Sequence, residues 1–354
     1  MVPPMHGDTT ILDKPEMWSG KSIEEIVSYR LSLVRGVRIY DIHTPAGRYI
    51  ESLQELAMAN KPAESEALFE KKPVPDLEQV KKKGFDIESV PFGLVGDLKS
   101  FRTSCSIRTD QRLENAYYDT DLEAKSAIVS LYDKGVDLST IQRIFSLGML
   151  GSAKKRRLVP TRWSISATDD IVSSYLVKNT ETNNVVDCFE VYKYSHLGNY
   201  YSIILIPDQL WSFEMQEAWF DTQGNLGFAV DFEDANGLQQ YPSSVAGAYF
   251  AARLAVAEHL SKRKRKAAAL VLREIHSDEY VVPVGVWQIR EGIRQAFDNL
   301  VLKKEFDNLG HASKYACSSL SVSETEWVKN SKLYRNYRRS QLRISQFFQI
   351  CYEQ

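Results

Sequence analysis

The sequence predicts an α+β fold: a mostly antiparallel sheet flanked by helices, with a helical N-terminal part and a C-terminal helix and tail. Three observations predict it. Apolar residues recur at helical spacing near the start, at Ile23, Ile26, Val27, Leu31 and Val34. β-branched and aromatic runs fill the middle, in Val186–Tyr194 and Tyr200–Ile206. Helical patterning returns from about Ser323 onward. Strands grouped between helical stretches build an α+β domain rather than alternating βα units.

Taken in order, Ser22 with Glu25 three residues later is a capping-box signature for the first helix, and Gly36 is its expected stop. A second helix is expected from about Ile50 to Ala59. Lys61 to Gly96 changes character: Pro62, Pro73, Pro75 and Pro91 interrupt a charged stretch containing Lys81-Lys82-Lys83, which reads as a linker with one short helix. Leu122–Tyr132 is helical up to Gly135, with Asp137 or Ser139 available to cap the next helix. A further helix is expected to begin near Ser166. Ser195–Asn199 joins the two central runs as a hairpin, and Leu210–Phe220 and Gly227–Phe232 extend the sheet. A long helix follows over about Ser244–Lys266, then strands at Ala268–Ile275 and Tyr280–Trp287, then a helix at Ile289–Phe297. Three regions result: a mainly helical 1–150 with its linker near 61–96, an α+β core at 151–322, and a C-terminal helix and tail at 323–354.

Composition narrows the class. The chain has 354 residues, enough for about two domains. Hydrophobic residues at 44% and charged residues at 25% are ordinary for a globular protein. A net charge of −2 gives no global basic field, so any nucleic-acid site must be a local patch. The 4 cysteines form no C-x-x-C pair, so a zinc site is not supported, and scattered thiols suit a reducing cytoplasm. No stretch has the length and apolarity of a membrane span, and Met1-Val2-Pro3-Pro4 lacks the regions of a signal peptide.

Three stretches can carry chemistry. Gly148 and Gly151 precede four consecutive cations, Lys154 to Arg157, and Thr161-Arg162-Trp163 follow. Arginine beside an indole suits gripping phosphate and stacking a base, so Arg156, Arg157, Thr161, Arg162 and Trp163 are the candidate nucleic-acid or nucleotide site. A solvated basic loop followed by a core tryptophan is the plainer reading. Asp169 and Asp170, just beyond, are candidate acids or bases. Asp231-Phe232-Glu233-Asp234 alternates carboxylates, which could hold Mg²⁺ through Asp231, although acidic stretches before Asn236-Gly237 are usually turns. Lys262–Lys266 is either a solvated helix end or a phosphate track. The six histidines form no metal motif, and no nucleophile elbow, P-loop or dinucleotide fingerprint is present. No reaction and no cofactor can be assigned from motifs.

The last segment is the most specific. Gln341, Ile344, Phe347 and Phe348 have the spacing of the PCNA-interacting peptide, with which replication and repair proteins hold the sliding clamp. One 3₁₀-like turn would place the three apolar side chains on one side, each worth about 1.5–3 kcal/mol when buried. The Gln341 amide can donate and accept a hydrogen bond to fix register. The alternative is one amphipathic helix docked on its own domain, since Trp327, Tyr334, Gln341 and Phe348 also step at heptad spacing.

Several stretches together resemble the archaeal Nre family of DNA-repair proteins. They are Pro3–Thr9, Ser22–Ile26 with Arg30–Gly36 (RLSLVRG), Arg157–Ile165 (RLVPTRWSI), and the terminal box. The resemblance covers essentially the whole chain and implies a DNA-damage-response protein that works with the sliding clamp. Members often carry a cysteine-rich, zinc-binding segment ahead of the part seen here, and this chain departs from them in having none. The resemblance implies a process and a partner, not a reaction. Four readings stay open: a clamp-tethered DNA-binding factor, a metal-dependent DNA-processing enzyme, an enzyme or binder of an adenine nucleotide or ADP-ribose-like ligand, and a non-catalytic clamp adaptor.

Overall fold

The structure, a computed structural model, describes residues 8–43, 47–75, 93–103, 107–221, 223–280 and 282–339. The chain divides into two units, Met1–Val172 with Val282–Trp287, and Ser173–Val281 with Gln288–Gln354.

In the first unit, α1 (Ile23–Leu31) opens with the expected capping box. The Glu25 N–H donates to Ser22 Oγ at 3.3 Å and the Ser22 N–H donates to Glu25 Oε2 at 3.0 Å. Trp18 is fully buried, its ring edge-on to Trp287 at 5.1 Å and under the Arg30 guanidinium at 5.0 Å. After β1 (Arg35–Val37) and α2 (Arg48–Ala57) come β2 (Ser65–Phe69), β3 (Val74–Pro75) and β4 (Leu94–Thr103). These strands form a small sheet in which β1 runs parallel to β4 while β2 and β3 run antiparallel to it. So the stretch read as a linker supplies sheet strands. Their alternation of half-buried and exposed positions carries no apolar run, which is why sequence patterning misses them. Helices α3 (Gln111–Tyr118), α4 (Ala124–Asp133) and α5 (Leu138–Ser146) follow, and α6 (Thr161–Thr180) begins five residues before its expected start.

The second unit is organised on one six-stranded sheet. After the short β5 (Asn184–Val185) come β6 (Phe189–His196), β7 (Asn199–Ile206), β8 (Phe213–Phe220) and β9 (Leu226–Glu233). Then follow α7 (Gly247–Arg263), β10 (Arg265–Lys266), β11 (Ala268–Ile275), α8 (Trp287–Asp298), β12 (Lys304–Phe306), α9 (Leu309–Cys317), α10 (Glu324–Asn330) and a last helix over 332–339. The sheet order is β12-β6-β7-β11-β8-β9, antiparallel at every step except β11 with β8. The β6–β7 turn is the two residues Leu197 and Gly198, both with positive φ, as a tight hairpin that follows strand twist requires. The expected strand at Tyr280–Trp287 does not form among the described residues. There the Trp287 indole N–H donates to the Val284 carbonyl at 2.6 Å and Trp287 starts α8 instead. The single C-terminal helix expected from Ser323 is broken at Ser331.

Helices cover both faces of this sheet, and the charged side chains buried there are paired with opposite charges or backbone groups. On one face Glu274 accepts the N–H groups of Ser321 and Val322 at 2.8 and 2.9 Å, ahead of α10. On the same face Glu214 accepts the Leu333 N–H at 2.7 Å, at the start of the last helix, where a carboxylate meets the positive end of the helix dipole. On the other face Arg273 is held by Glu217 and, at 2.6 and 2.9 Å, by Asn199 Oδ1.

Burial pushes the Glu214 carboxyl above its ordinary value of 4.5, although the Leu333 N–H and Gln216 pull it the other way. The folded chain therefore binds this proton more tightly than the unfolded chain, and Glu214 withdraws stability as pH rises above that ordinary value. Glu214→Gln should gain stability relative to the wild type between about pH 4 and about pH 7, measured by urea melts at both ends. An unchanged difference across that range would contradict the buried, ionisable role.

Candidate nucleic-acid interface

The basic segment is shaped by the end of α5. Gly148, at φ +67°, closes that helix: its N–H donates to the Phe145 carbonyl at 3.0 Å, and the Met149 N–H donates to the Ile144 carbonyl at 3.1 Å. This paired pattern is a Schellman cap and needs a residue that tolerates the left-handed region. A Cβ at Gly148 would lie 2.7 Å from the Arg157 carbonyl oxygen, so the glycine also lets the basic segment pass close by. The return strand is pinned to α5 by two bonds, from the Val159 N–H to the Ser146 carbonyl at 2.9 Å and from Ser146 Oγ to the Val159 carbonyl at 2.7 Å. Pro160 then supplies the carbonyl that accepts the Trp163 and Ser164 N–H groups, at 2.9 and 3.0 Å, and α6 begins.

Not all the candidates have the same role. Arg156 turns inward: its Nε donates to the Gly151 carbonyl at 2.8 Å, a second nitrogen reaches the Asp119 carbonyl at 3.2 Å, and its guanidinium lies 5.3 Å over the Tyr117 ring. It staples the loop. Arg157, Thr161, Arg162 and Trp163 are exposed, as are Lys154 and Lys155. Trp163 is 64% exposed, the opposite of the core tryptophan that the plainer reading required. Exposed indoles are enriched at binding surfaces, and this one follows exposed Arg162 directly in sequence, with Arg157 shortly before.

Of the carboxylates, Asp169 lies on the buried side of α6 with Ser164, Thr168 and Val172, and accepts a bond from Gln142 Nε2 at 3.2 Å. Asp170 is half-buried, seven residues after Trp163 and so on the same helical stripe about 10 Å along the axis. Asp231 belongs to the second unit. It accepts the Val245 N–H at 2.5 Å ahead of α7, and burial raises its pKa against the pull of that N–H and those of Ser244 and Ala246. Its neighbour Glu233 takes Arg253 Nε at 2.6 Å and the Trp211 indole N–H at 2.5 Å. These alternating carboxylates organise a helix start and a buried ion pair. In the Lys262–Lys266 run, Arg263 binds Glu190 at 2.5 and 2.8 Å, Arg265 donates to the Val185 carbonyl at 3.1 Å, and Lys266 donates to the Glu181 carbonyl at 3.0 Å.

Sequence reasoning missed one group that could ligate a metal. Cys188, Glu190 and Glu305 place ligand atoms within 4.8 Å of one another. Lys303 sits 2.7 Å from Glu305, and Arg263 already holds both oxygens of Glu190. Burial and the two carboxylates push the Cys188 thiol pKa up, which disfavours the thiolate a metal needs. Cations thus occupy the anionic side of this group, and it reads as an ion-pair network. Gln341, Ile344, Phe347 and Phe348 lie outside the described residues. Among the described residues, no helix is long and apolar enough to cross a membrane.

Comparisons with known proteins agree on one family. The model for the archaeal Nre N-terminal region matches residues 1–223, and that for the archaeal Nre C-terminal region matches residues 233–347. A protein of Archaeoglobus fulgidus named DNA repair protein NreB is 34% identical over 346 residues, covering 96% of this chain and 85% of the relative. Haloferax volcanii DNA repair protein NreA is 34% identical, covering 89% and 75% respectively. DNA repair protein NreA of Archaeoglobus fulgidus is 32% identical, covering 91% and 80%. No solved structure matches the chain.

The two roles in the basic segment separate by experiment. Trp163→Ala should leave stability within about 0.5 kcal/mol of the wild type, because an exposed ring contributes little to folding. Gly148→Ala should destabilise by about 1 kcal/mol or more, because the left-handed backbone and the Arg157 carbonyl both oppose a Cβ. Chemical denaturation of both variants measures this, and a strongly destabilised Trp163→Ala would return that side chain to the core.

Proposed function

The chain belongs to the archaeal Nre family, whose named members are DNA-repair proteins, and from that premise we propose that it acts in DNA repair as a clamp-tethered factor that binds DNA. Exposed Trp163, set among Arg157, Arg162, Lys154 and Lys155 at the start of α6, is the observation that carries the DNA-binding half. The ring offers a face to a base, the cations offer charge to phosphates, and Arg156 with Gly148 holds the segment in place. Gln341, Ile344, Phe347 and Phe348 carry the tethering half. They have the clamp-binding spacing, and the C-terminal family model reaches into them, to residue 347. Tethering raises the local concentration of the body on DNA, so neither contact needs to be tight.

A mononucleotide or an ADP-ribose-like ligand is the second reading of the same residues. It is supported by the N–H groups at the first turn of α6, which suit a terminal phosphate. If the site is catalytic, Asp170 is the carboxylate on the stripe of Trp163, and Mg²⁺ would be the ion to supply.

Two measurements test the proposal. In clamp titrations, Phe347→Ala/Phe348→Ala should lose at least tenfold in affinity, since two apolar anchors go. In DNA titrations, Arg157→Ala/Arg162→Ala should weaken binding and flatten its salt dependence by about two phosphate contacts. Wild-type clamp affinity in the phenylalanine variant would remove the tether. An unchanged salt slope in the arginine variant would remove the DNA site, and stabilisation by a mononucleotide without DNA affinity would favour the second reading.

A further inference from the structure

The first unit carries other rings that are exposed or half-exposed besides Trp163. The Leu158 N–H donates to the Ile42 carbonyl at 2.9 Å, which ties the stretch after β1 to the stretch that leads into α6. On that first stretch the Tyr40 ring stacks on Tyr49 of α2 at 5.5 Å with 24° between their planes. The Arg38 guanidinium lies over both rings, at 5.6 and 5.1 Å, and Phe101 supports Tyr49 edge-on at 6.2 Å. Arg38 is exposed, and Ile39 beside it is 97% exposed. A second ring stands nearer the basic loop. Tyr118 is 73% exposed and packs edge-on against Tyr117 at 5.2 Å, and Tyr117 is the ring beneath Arg156.

Ile39 and Tyr118 are left in water while Tyr40 and Tyr49 are half-covered, and apolar and aromatic side chains left open in this way mark a contact surface. The chemistry of the group selects the partner. Aromatic faces and guanidinium planes are sequence-tolerant platforms for bases, but only for bases whose own faces are open. A duplex presents base edges and phosphates, so it would leave these rings unused. A mononucleotide would use one ring. Counting along the backbone from Tyr40 to Ile42, across the hydrogen bond, and from Leu158 to Trp163, these two ends are at most about 30 Å apart. A strand of several nucleotides can bridge that span.

Resting on the reading of Arg157–Trp163 given above, we infer that this face binds a single strand of nucleic acid several nucleotides long. Its bases stack on Trp163, Tyr118 and the Tyr40–Tyr49 pair. Its phosphates follow Lys154, Lys155, Arg157 and Arg162, with Arg38 closing the far end.

Fluorescence polarisation with labelled dT4, dT15, a 15-base-pair duplex and a labelled mononucleotide tests this on the full chain. The wild type should bind dT15 at least tenfold more tightly than dT4, and more tightly than the duplex. Tyr40→Ala should weaken dT15 fivefold or more, the low end for one stacked base, while leaving dT4 within twofold. Arg38→Ala, at an exposed position, should do the same, and a wild-type urea midpoint for each variant separates lost binding from misfolding. Trp163→Ala should weaken both oligonucleotides. Equal affinity for dT4 and dT15, tighter duplex binding, or no effect of Arg38→Ala would overturn the single-strand track while Trp163→Ala still identifies the site. If Trp163→Ala changes nothing, or the wild type binds none of the four, the underlying reading fails and the track with it.

Discussion

A charge taken out of water must find a partner inside, and the six-stranded sheet of the second unit is built around that necessity. Helices cover both of its faces, yet Glu214, Glu217, Glu233, Arg253, Arg273 and Glu274 all point into them with almost no exposure. Removing a carboxylate or guanidinium from water costs several kcal/mol unless ion pairs and hydrogen bonds replace the lost hydration. The replacements are specific: Arg273 with Glu217 and Asn199, Arg253 with Glu233, Glu274 and Glu214 with backbone N–H groups ahead of the C-terminal helices. Burial alone would lower the Arg273 pKa, and the Glu217 carboxylate together with Tyr201 and Tyr280 reverses that. The Arg273 group ties three strands together, while the pairings of Glu233, Glu274 and Glu214 fix which helix sits on which strand. Apolar packing by Trp327, Leu309 and Ala316 then fills the space between them.

The same constraint sorts residues that look alike in a sequence. A run of cations or alternating carboxylates suggests a ligand site, but a side chain already engaged by the fold has less left to offer a ligand. Arg156, Asp169, Glu233 and Arg263 are of this internal kind. Arg157, next to Arg156 in sequence, and Arg162 and Trp163 a few residues on, are exposed. His259 shows how far burial can go. Packed flat on Phe297 at 3.8 Å, it has its pKa pushed down to about 3 by desolvation, with Arg263 adding to the effect, so it stays neutral and serves the core.

Much of the second unit was legible because strand patterning there is strong. Val186–Tyr194 and Tyr200–Ile206 are β-branched and aromatic, and their hairpin forms within a few residues of where the pattern places it. The capping box at Ser22 and Glu25 was legible because it is local. The sheet of the first unit was not, since strands such as Ser65–Phe69 are half-exposed and depend on partners distant in sequence. Tyr280–Trp287 carries apolar residues for a different reason: Tyr280, Val284 and Trp287 are each buried without forming a strand. The early start of α6 follows from Pro160, whose carbonyl accepts the first helical bonds, a feature the apolar period alone does not reveal. For the candidate site, residue types and order were readable. Which arginine faces inward, and that the stretch carrying Tyr40 is tied to the one leading to Trp163, depend on contacts such as Arg156 with Asp119 and Leu158 with Ile42, the latter spanning more than a hundred residues.

The central claim is that nucleic acid lies along the exposed aromatic and cationic face of the first unit. Photo-crosslinking reads this directly: a single-stranded oligonucleotide carrying bromodeoxyuridine is bound, irradiated, and its attachment points located by peptide mass spectrometry. The account predicts adducts on the peptide that carries Trp163 and on those that carry Tyr40, Tyr49 or Tyr118. Adducts confined to peptides of the second unit would contradict it.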